Sequence, residues 1–489
     1  MLIAILSGVL IGVGGTQVGI VLIAGCLLVA SFFISVQLTF WALLVATFVL
    51  VGPVQYFGRI GKIFWLPYLL GLLLFARAAI SMFFAPKLSR SGGGKLSPVE
   101  APLILFAVIL VASTVLNLSP LLQVLLAAKE YFFLWGAWFV VMGGIVTVRS
   151  LDRLWGWMPW FLLLQLPAVL YQRFVIATGR QGAASWDAVV GLFGGDPDGG
   201  GASGAMAMCS VIAIAFAITH WRRQLVSGWM VLLTGGLGLA TIMLAEVKVA
   251  IVLIPLAIFL IYGAELAQRP VRSLTMLFVG LLASLAVVYV YQTQFTTTAT
   301  KAGRSLDAYI VDVIEKNSQV DYVDPITMQM GRVGALTFWW KEQHIEDPLQ
   351  FIVGSGIGAS RMGQVKGEVA QRYGFDIERS SAAILLWDSG VLGLLVLGAA
   401  MLAGALAAFR LARQSEAAEE AAILQAIGIG LTIVLLTFPY GPDFIRVPQF
   451  QLFAILMLVR VAVAARTRAR SKTCAAGASA VSGPRRGLP

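Results

Sequence analysis

Charge is scarce in this sequence. Only 12% of its 489 residues are Asp, Glu, Lys or Arg, against about 25% in ordinary soluble domains. Hydrophobic residues make up 59%, and the mean hydropathy is +0.88. That balance excludes a soluble globular class and indicates a polytopic membrane protein. Alternation is missing too. A transmembrane barrel needs segments of about 10 residues that alternate apolar and polar, and stretches such as VGIVLIAGCLLVASFFIS do not. The membrane fold is therefore read as all-α. Cysteine is rare and scattered at Cys26, Cys209 and Cys474, which excludes a disulfide framework and a cysteine-based metal spacing. The first apolar segment lacks a basic leader, so it reads as a retained helix rather than a signal peptide. No repeat of fixed period and no inverted pair of broken helices is visible, features that mark many secondary transporters.

Apolar runs of about 20 residues fill most of the chain. They predict about fourteen transmembrane helices, near 1–14, 17–35, 37–54, 63–84, 99–116, 124–147, 154–177, 203–219, 226–244, 248–265, 272–292, 381–409, 421–438 and 448–465. Four regions follow. Residues 1–292 hold helices one to eleven, with a smaller loop at 178–202. Residues 293–380 form a large, mostly helical loop domain, and residues 381–465 hold the last three helices. Residues 466–489 are a basic, disordered tail. Lys87, Arg90, Lys95, Arg149, Arg153, Arg222, Arg223, Arg269, Arg272, Arg410 and Arg413 fall in loops on one side, together with that tail. Lys and Arg mark the cytoplasmic side, so both termini are expected there. The two long loops then face outward, and Arg59 and Lys62 are outnumbered. The net charge of +11 fits membrane lipids as partners through the basic tail and gives no nucleic-acid signature.

Charges at the edge of a membrane core are costly and prompt functional hypotheses. Lys129-Glu130, Arg173, Arg180, Glu246-Val247-Lys248, Asp443 and Arg446 all fall at the expected outer surface. Taken singly, each could be a helix end with a paired charge. As a group they suggest a polar cavity. The large loop adds Arg304, Arg332, Arg361, Arg372 and Arg379, and arginine forks onto phosphate oxygens. Its acids make a solvated surface the plain alternative. Asp196-Pro197-Asp198 has two carboxylates, but its glycine-rich setting reads as a turn, and no metal site is assigned. His344 could serve as a base but ranks below the arginines.

One motif invites a different reading. PLQFIVGSGIGASR, residues 348–361, can be parsed as a strand at Phe351-Ile352-Val353 followed by G-x-G-x-x-A, with Asp376 and Glu378 about 20 residues on. The loop is too short for the parallel sheet and crossover helices that a dinucleotide site requires. The glycines are better explained by tight turns and close backbone approach, and no cofactor is expected.

Three segments in order carry a resemblance: GRVGALTFWWKEQHIEDP, then PLQFIVGSGIGAS, then ERSSAAILLWDSGVLGLLVLG with Asp388, Gly390 and Gly393. This order resembles the O-antigen ligase and polymerase family of bacterial membrane glycosyltransferases, in detail over about residues 331–397. The resemblance implies metal-independent transfer of glycan from an undecaprenyl-pyrophosphate carrier, at the periplasmic face of the inner membrane. Polysaccharide export and chain-length proteins are then candidate partners. Ligases of the family carry His-Asn ahead of the last segment. Ser380-Ser381 stands there instead, which favours a repeat-unit polymerase. Glu246, Arg332 and Arg361 are the expected catalytic residues, with Glu246 the first candidate base and Glu378 and Asp376 next. Lys248, Arg379, Arg173, Lys129, Trp339, Gly354, Gly356 and Gly358 are expected to bind substrate. A ligase of the same family, a lipid-linked oligosaccharide flippase or transporter, and a non-catalytic assembly partner are the competing readings.

Overall fold

The computed structural model describes residues 34–84, 96–179, 188–197, 200–265, 268–301, 328–343, 347–363 and 365–481, with single positions between 311 and 324. The expected helices at 1–14 and 17–35 lie almost wholly outside the described residues. So do Lys87, Arg90, Lys95, Arg180, Asp198, Arg304, His344 and the last eight residues.

The described chain is helical. It contains no named strand, only three isolated bridges. In order, the membrane part runs α1 (Val36–Tyr56), α2 (Gly61–Phe83), α3 (Glu100–Leu116), α4 (Leu121–Tyr131), α5 (Phe133–Met142), the short α6 (Val148–Gly156), α7 (Met158–Ile176), α8 (Ser203–Arg222), α9 (Gly228–Ala245), α10 (Ala250–Tyr262) and α11 (Pro270–Lys301). Next come α12 (Arg332–Gln343), α13 (Pro348–Val353) and α14 (Glu368–Arg372). The chain ends with α15 (Ser381–Gln414), α16 (Ala418–Leu436), α17 (Asp443–Arg446) and α18 (Pro448–Val481). The protein is thus a helical, multi-pass membrane protein.

The expectation of fourteen spans is met in part. Among the described residues, nine helices are long and apolar enough to cross a membrane. The count reaches ten if α4 and α5, bent by 40°, form one span. The helices α3 and α10 are apolar but shorter. The last helix runs past residue 465 to Val481, so the described part of the basic tail is helical backbone. Residues 351–353 are the end of α13, not a strand.

Successive spans run in opposite directions and define two ends. One end carries Glu100, Asp152, Arg222, Glu265, Glu420, Arg460 and Arg466, which pair across helices. The other end carries the turn after α3, α12–α14, the start of α15 and α17; it is called the site end below. The core centres on α18, where residues from Leu452 to Leu458 are fully or almost fully buried.

Two irregular segments interrupt the spans at the site end. Residues 188–193 re-enter the bundle, and most of their side chains are buried. Non-helical backbone at membrane depth must find its hydrogen bonds within protein. Here glutamines supply them. The Gln172 amide oxygen accepts from Val190 and Gly191 at 2.9 and 2.7 Å, and its nitrogen donates to Gly191 at 3.0 Å. Gln165 accepts from Leu192 at 2.7 Å, and Gln449 donates to Phe193 at 3.1 Å. Just beyond, Asp196 sits in a turn, its N–H donating to Gly200 at 3.2 Å. The second interruption lies within α15 and builds the site.

Candidate functional site

The long helix α15 breaks at Gly390, whose φ of 66° and ψ of −172° are non-helical. The break falls about two and a half turns inside the helix and frees backbone carbonyls in an apolar setting. The glycine loop after α13 takes them up. Ser355 N–H donates to Trp387 O at 2.8 Å, and Gly356 N–H donates to Asp388 O at 3.2 Å. Ser113 on α3 adds its hydroxyl to Asp388 O at 3.1 Å.

Gly354, Gly356 and Gly358 have φ of 80°, 94° and 72°, a region that favours glycine. A Cβ on Gly354 would lie 2.4 Å from Ser389 N, and one on Gly390 would lie 2.3 Å from Ile352 O. The two chains meet backbone to backbone. These glycines, expected to bind substrate, are brought against the broken helix and against α3 and α4.

The Asp388 carboxylate fastens the loop. One oxygen accepts from Gly358 N–H and from the Tyr131 hydroxyl, each at 2.8 Å. The other accepts from Ser360 N–H at 3.1 Å and from the Ser360 hydroxyl at 2.9 Å. Asp388 and Ser360 are buried. A charge held at this depth needs such donors. The result is a fixed starting point for the next residue, Arg361.

Arg361 enters an ion network. Its guanidinium is 3.1 Å from Glu130 Oε1 and also donates to Leu126 O at 3.1 Å. Lys129 is 3.5 Å from the same Glu130 oxygen. Arg446, at the end of α17, bridges the other oxygen of Glu130 to Glu378. The Glu378 carboxylate also accepts from Met362 N–H at 3.0 Å. The Lys129 ammonium lies 4.4 Å from the Trp65 ring and 5.4 Å from the Tyr68 ring, a favourable arrangement for a poorly hydrated cation. Gln451 donates to the Glu130 backbone oxygen. Three cations from α4, the glycine loop and α17 thus share two carboxylates.

The remaining expected residues divide into other groups. Arg332 stacks over Tyr440 at 4.3 Å and faces Asp443 on α17. Burial pushes the Asp443 carboxyl up to about 6, although Arg332 pulls it down. Arg379 donates to Met330 O at 2.9 Å. Burial raises the Asp376 carboxyl, with Arg379 and Arg446 opposing. Glu246 pairs with Arg173 at 2.7 Å; it caps α9 in a left-handed conformation, φ 54°. That pair belongs to α7 and α9, not to the glycine loop that carries Arg361. Lys248 follows it in the same turn. The Trp339 ring is buried and stacked on Phe351 at 5.1 Å, so packing takes up its faces.

The residues brought together are therefore Lys129 and Arg361, with Glu378 from among the candidate bases. In the sequence Glu130 and Arg446 read only as surface charges, and Tyr131, Ser360 and Gln451 do not stand out. Their one signal was polarity within or beside an apolar run. No family model matches the chain, and no curated protein does.

Proposed function

We propose that the protein is a membrane glycosyltransferase acting on lipid-linked glycans, a repeat-unit polymerase that draws on an undecaprenyl-pyrophosphate-linked oligosaccharide. The observation that carries this reading is the buried network of Lys129, Arg361 and Arg446 around Glu130 and Glu378. An excess of cation held in a water-poor site suits a pyrophosphate. Its carboxylates hold the cations in place until an anion replaces them.

In the proposed reaction, an acceptor sugar hydroxyl attacks the anomeric carbon of the donor glycan. The bond from that carbon to the pyrophosphate oxygen breaks, and lipid pyrophosphate leaves with the bonding pair. Lys129, Arg361 and Arg446 stabilise the negative charge that grows on it. The hydroxyl proton passes to a carboxylate. Asp443 is the candidate, because its carboxyl near pH 6 is ionised at neutral pH yet more basic than an ordinary aspartate. It sits on the same turn of helix as Arg446. Glu246, the first choice on sequence grounds, is held by Arg173.

In this reading the site end faces the periplasm of a bacterial inner membrane. Arg149 and Arg153 between α5 and α7, Arg222 and Arg223 at the end of α8, and Arg410 and Arg413 near the end of α15 lie at the opposite end, as the positive-inside rule asks of a cytoplasmic face. Deleting the gene and profiling lipid-linked glycans tests the proposal. A polymerase leaves single repeat units accumulated. A ligase leaves finished polymer on its lipid, and a flippase leaves units on the cytoplasmic leaflet. Unchanged glycan length overturns the polymerase reading.

A further inference from the structure

A cavity of about 540 Å³ opens on the apolar flank of the bundle, between α1 and α7. It is within the range of small-molecule pockets, about 300–1,000 Å³. Its walls are apolar, from Trp41 to Val49 on α1 and from Trp157 to Leu164 on α6–α7, with Cys209 and Phe453 at its inner side. Arg153 is the one charged residue among the described residues that line it. The cavity starts at the end opposite the site and runs inward. Trp41 to Val49 spans about 12 Å along a helix, close to half of an apolar layer about 30 Å thick.

The rim of this cavity is built for an anionic head. Helix α6 buries Ser150, Leu151 and Trp155 and turns Arg149 and Arg153 outward. These two arginines are four apart, on one face. The acid between them, Asp152, is taken by Arg460 at 2.6 Å. Trp157 and Trp160 are 65% and 56% exposed beside them, as aromatic residues are at a membrane interface. Residues 1–35 contain no acid, so that apolar stretch has no counter-charge to bring to these arginines. A phospholipid has both parts, a negative head and a chain one leaflet long.

We infer that this cavity is a binding site for an anionic phospholipid, with one acyl chain between α1 and α7 and the headgroup phosphate on Arg149 and Arg153. The inference is independent of the proposed catalytic role. The site holds a lipid of the leaflet opposite the ion network and anchors α6 at the interface.

The test uses full-length protein in phosphatidylcholine nanodiscs doped with phosphatidylglycerol that carries a photoreactive group on its acyl chain. Adducts are expected on the peptides of Trp41–Val49 and Trp157–Leu164, and unlabelled phosphatidylglycerol should compete them away. Replacing Arg149→Gln and Arg153→Gln, both on the surface, should lower labelling about fivefold for each arginine removed. A choline-headgroup probe should be unaffected by those changes. Val45→Trp, on a wall residue that is 55% exposed, should block both probes while gel filtration stays unchanged. Labelling spread evenly around the bundle, or labelling indifferent to the arginines, would overturn the inference. So would cross-links from these peptides to residues 1–33 in place of lipid.

Discussion

Both ends of the bundle carry buried or half-buried arginines, and they are wired differently. At the far end three arginines meet four carboxylates. Arg222 pairs with Glu265, Arg466 with Glu100, and Arg460 with Asp152 at 2.6 Å and Glu420 at 3.5 Å. Asp152, Glu265 and Glu420 are each between 23% and 40% exposed in their side chains. At the site end three cations crowd two carboxylates, and Glu130 and Glu378 are only 6% and 10% exposed. These far-end pairs are neutralised within themselves, and three of their four acids are partly solvated, the pattern of helix ends pinned to one another. Within the site-end network, negative charge is one short of the cations where water is scarce. That shortfall is what an anionic substrate would fill.

Removing one acid from each end should give the sharpest contrast. Glu130→Ala leaves Lys129, Arg361 and Arg446 without their shared partner and should cost about 3–5 kcal/mol of stability. Glu420→Ala removes a side chain that is 40% exposed and leaves Arg460 its pair with Asp152 at 2.6 Å, so it should cost no more than about 1 kcal/mol. Thermal unfolding in detergent compares the two, and equal losses would erase the distinction between the ends. Next in size is activity. Arg361→Ala should lower glycan transfer about 10²–10³-fold, as loss of one charge-stabilising donor does, at normal protein level. Arg410→Ala, near the far end of α15, should leave transfer unchanged.

Backbone substitutions extend the contrast. Gly354→Ala puts a methyl against the α15 break at positive φ and should cost about 1–3 kcal/mol. Gly156→Ala at the far end meets nothing within 4 Å and should stay within about 0.5 kcal/mol. A further contrast is in pH dependence. Asp443 has a folded carboxyl raised to about 6 from an ordinary unfolded value near ~3.9. Folding therefore favours its protonated form. Its contribution to stability is fully present below about pH 4 and is lost as pH rises through about 6. Melting curves between pH 4 and 7 should show that decline, and Asp443→Asn should flatten it.

The spans were the most legible feature, because a run of apolar residues long enough to cross a membrane needs no partner to be recognised. The expected helix at 99–116 is Glu100–Leu116, and that at 203–219 is Ser203–Arg222. The break in α15 was hidden, since Gly390 in an apolar run reads as one glycine in a helix. It becomes a break only when the Gly354–Gly358 loop, some 35 residues earlier in the chain, supplies its hydrogen bonds. The order of these two motifs was visible, and their contact was not. The ion network was hidden for the same reason. Glu130 and Arg446 are more than three hundred positions apart, while Glu246 and Lys248 drew notice by being neighbours in sequence. Sequence proximity marked a helix end, and tertiary packing chose the partners. The glutamines that line the 188–193 re-entry read as isolated polar residues until their backbone partners are seen.

The central claim is that the crowded cations of the site end act on a lipid pyrophosphate. It is tested most directly by incubating the purified protein with a polyprenyl-pyrophosphate-linked oligosaccharide, following both product length and released polyprenyl pyrophosphate. The account predicts longer glycan and released lipid pyrophosphate in step with the wild-type protein, and neither with an Arg361→Ala, Arg446→Ala double variant that still folds. Transfer by that variant at the wild-type rate would contradict it.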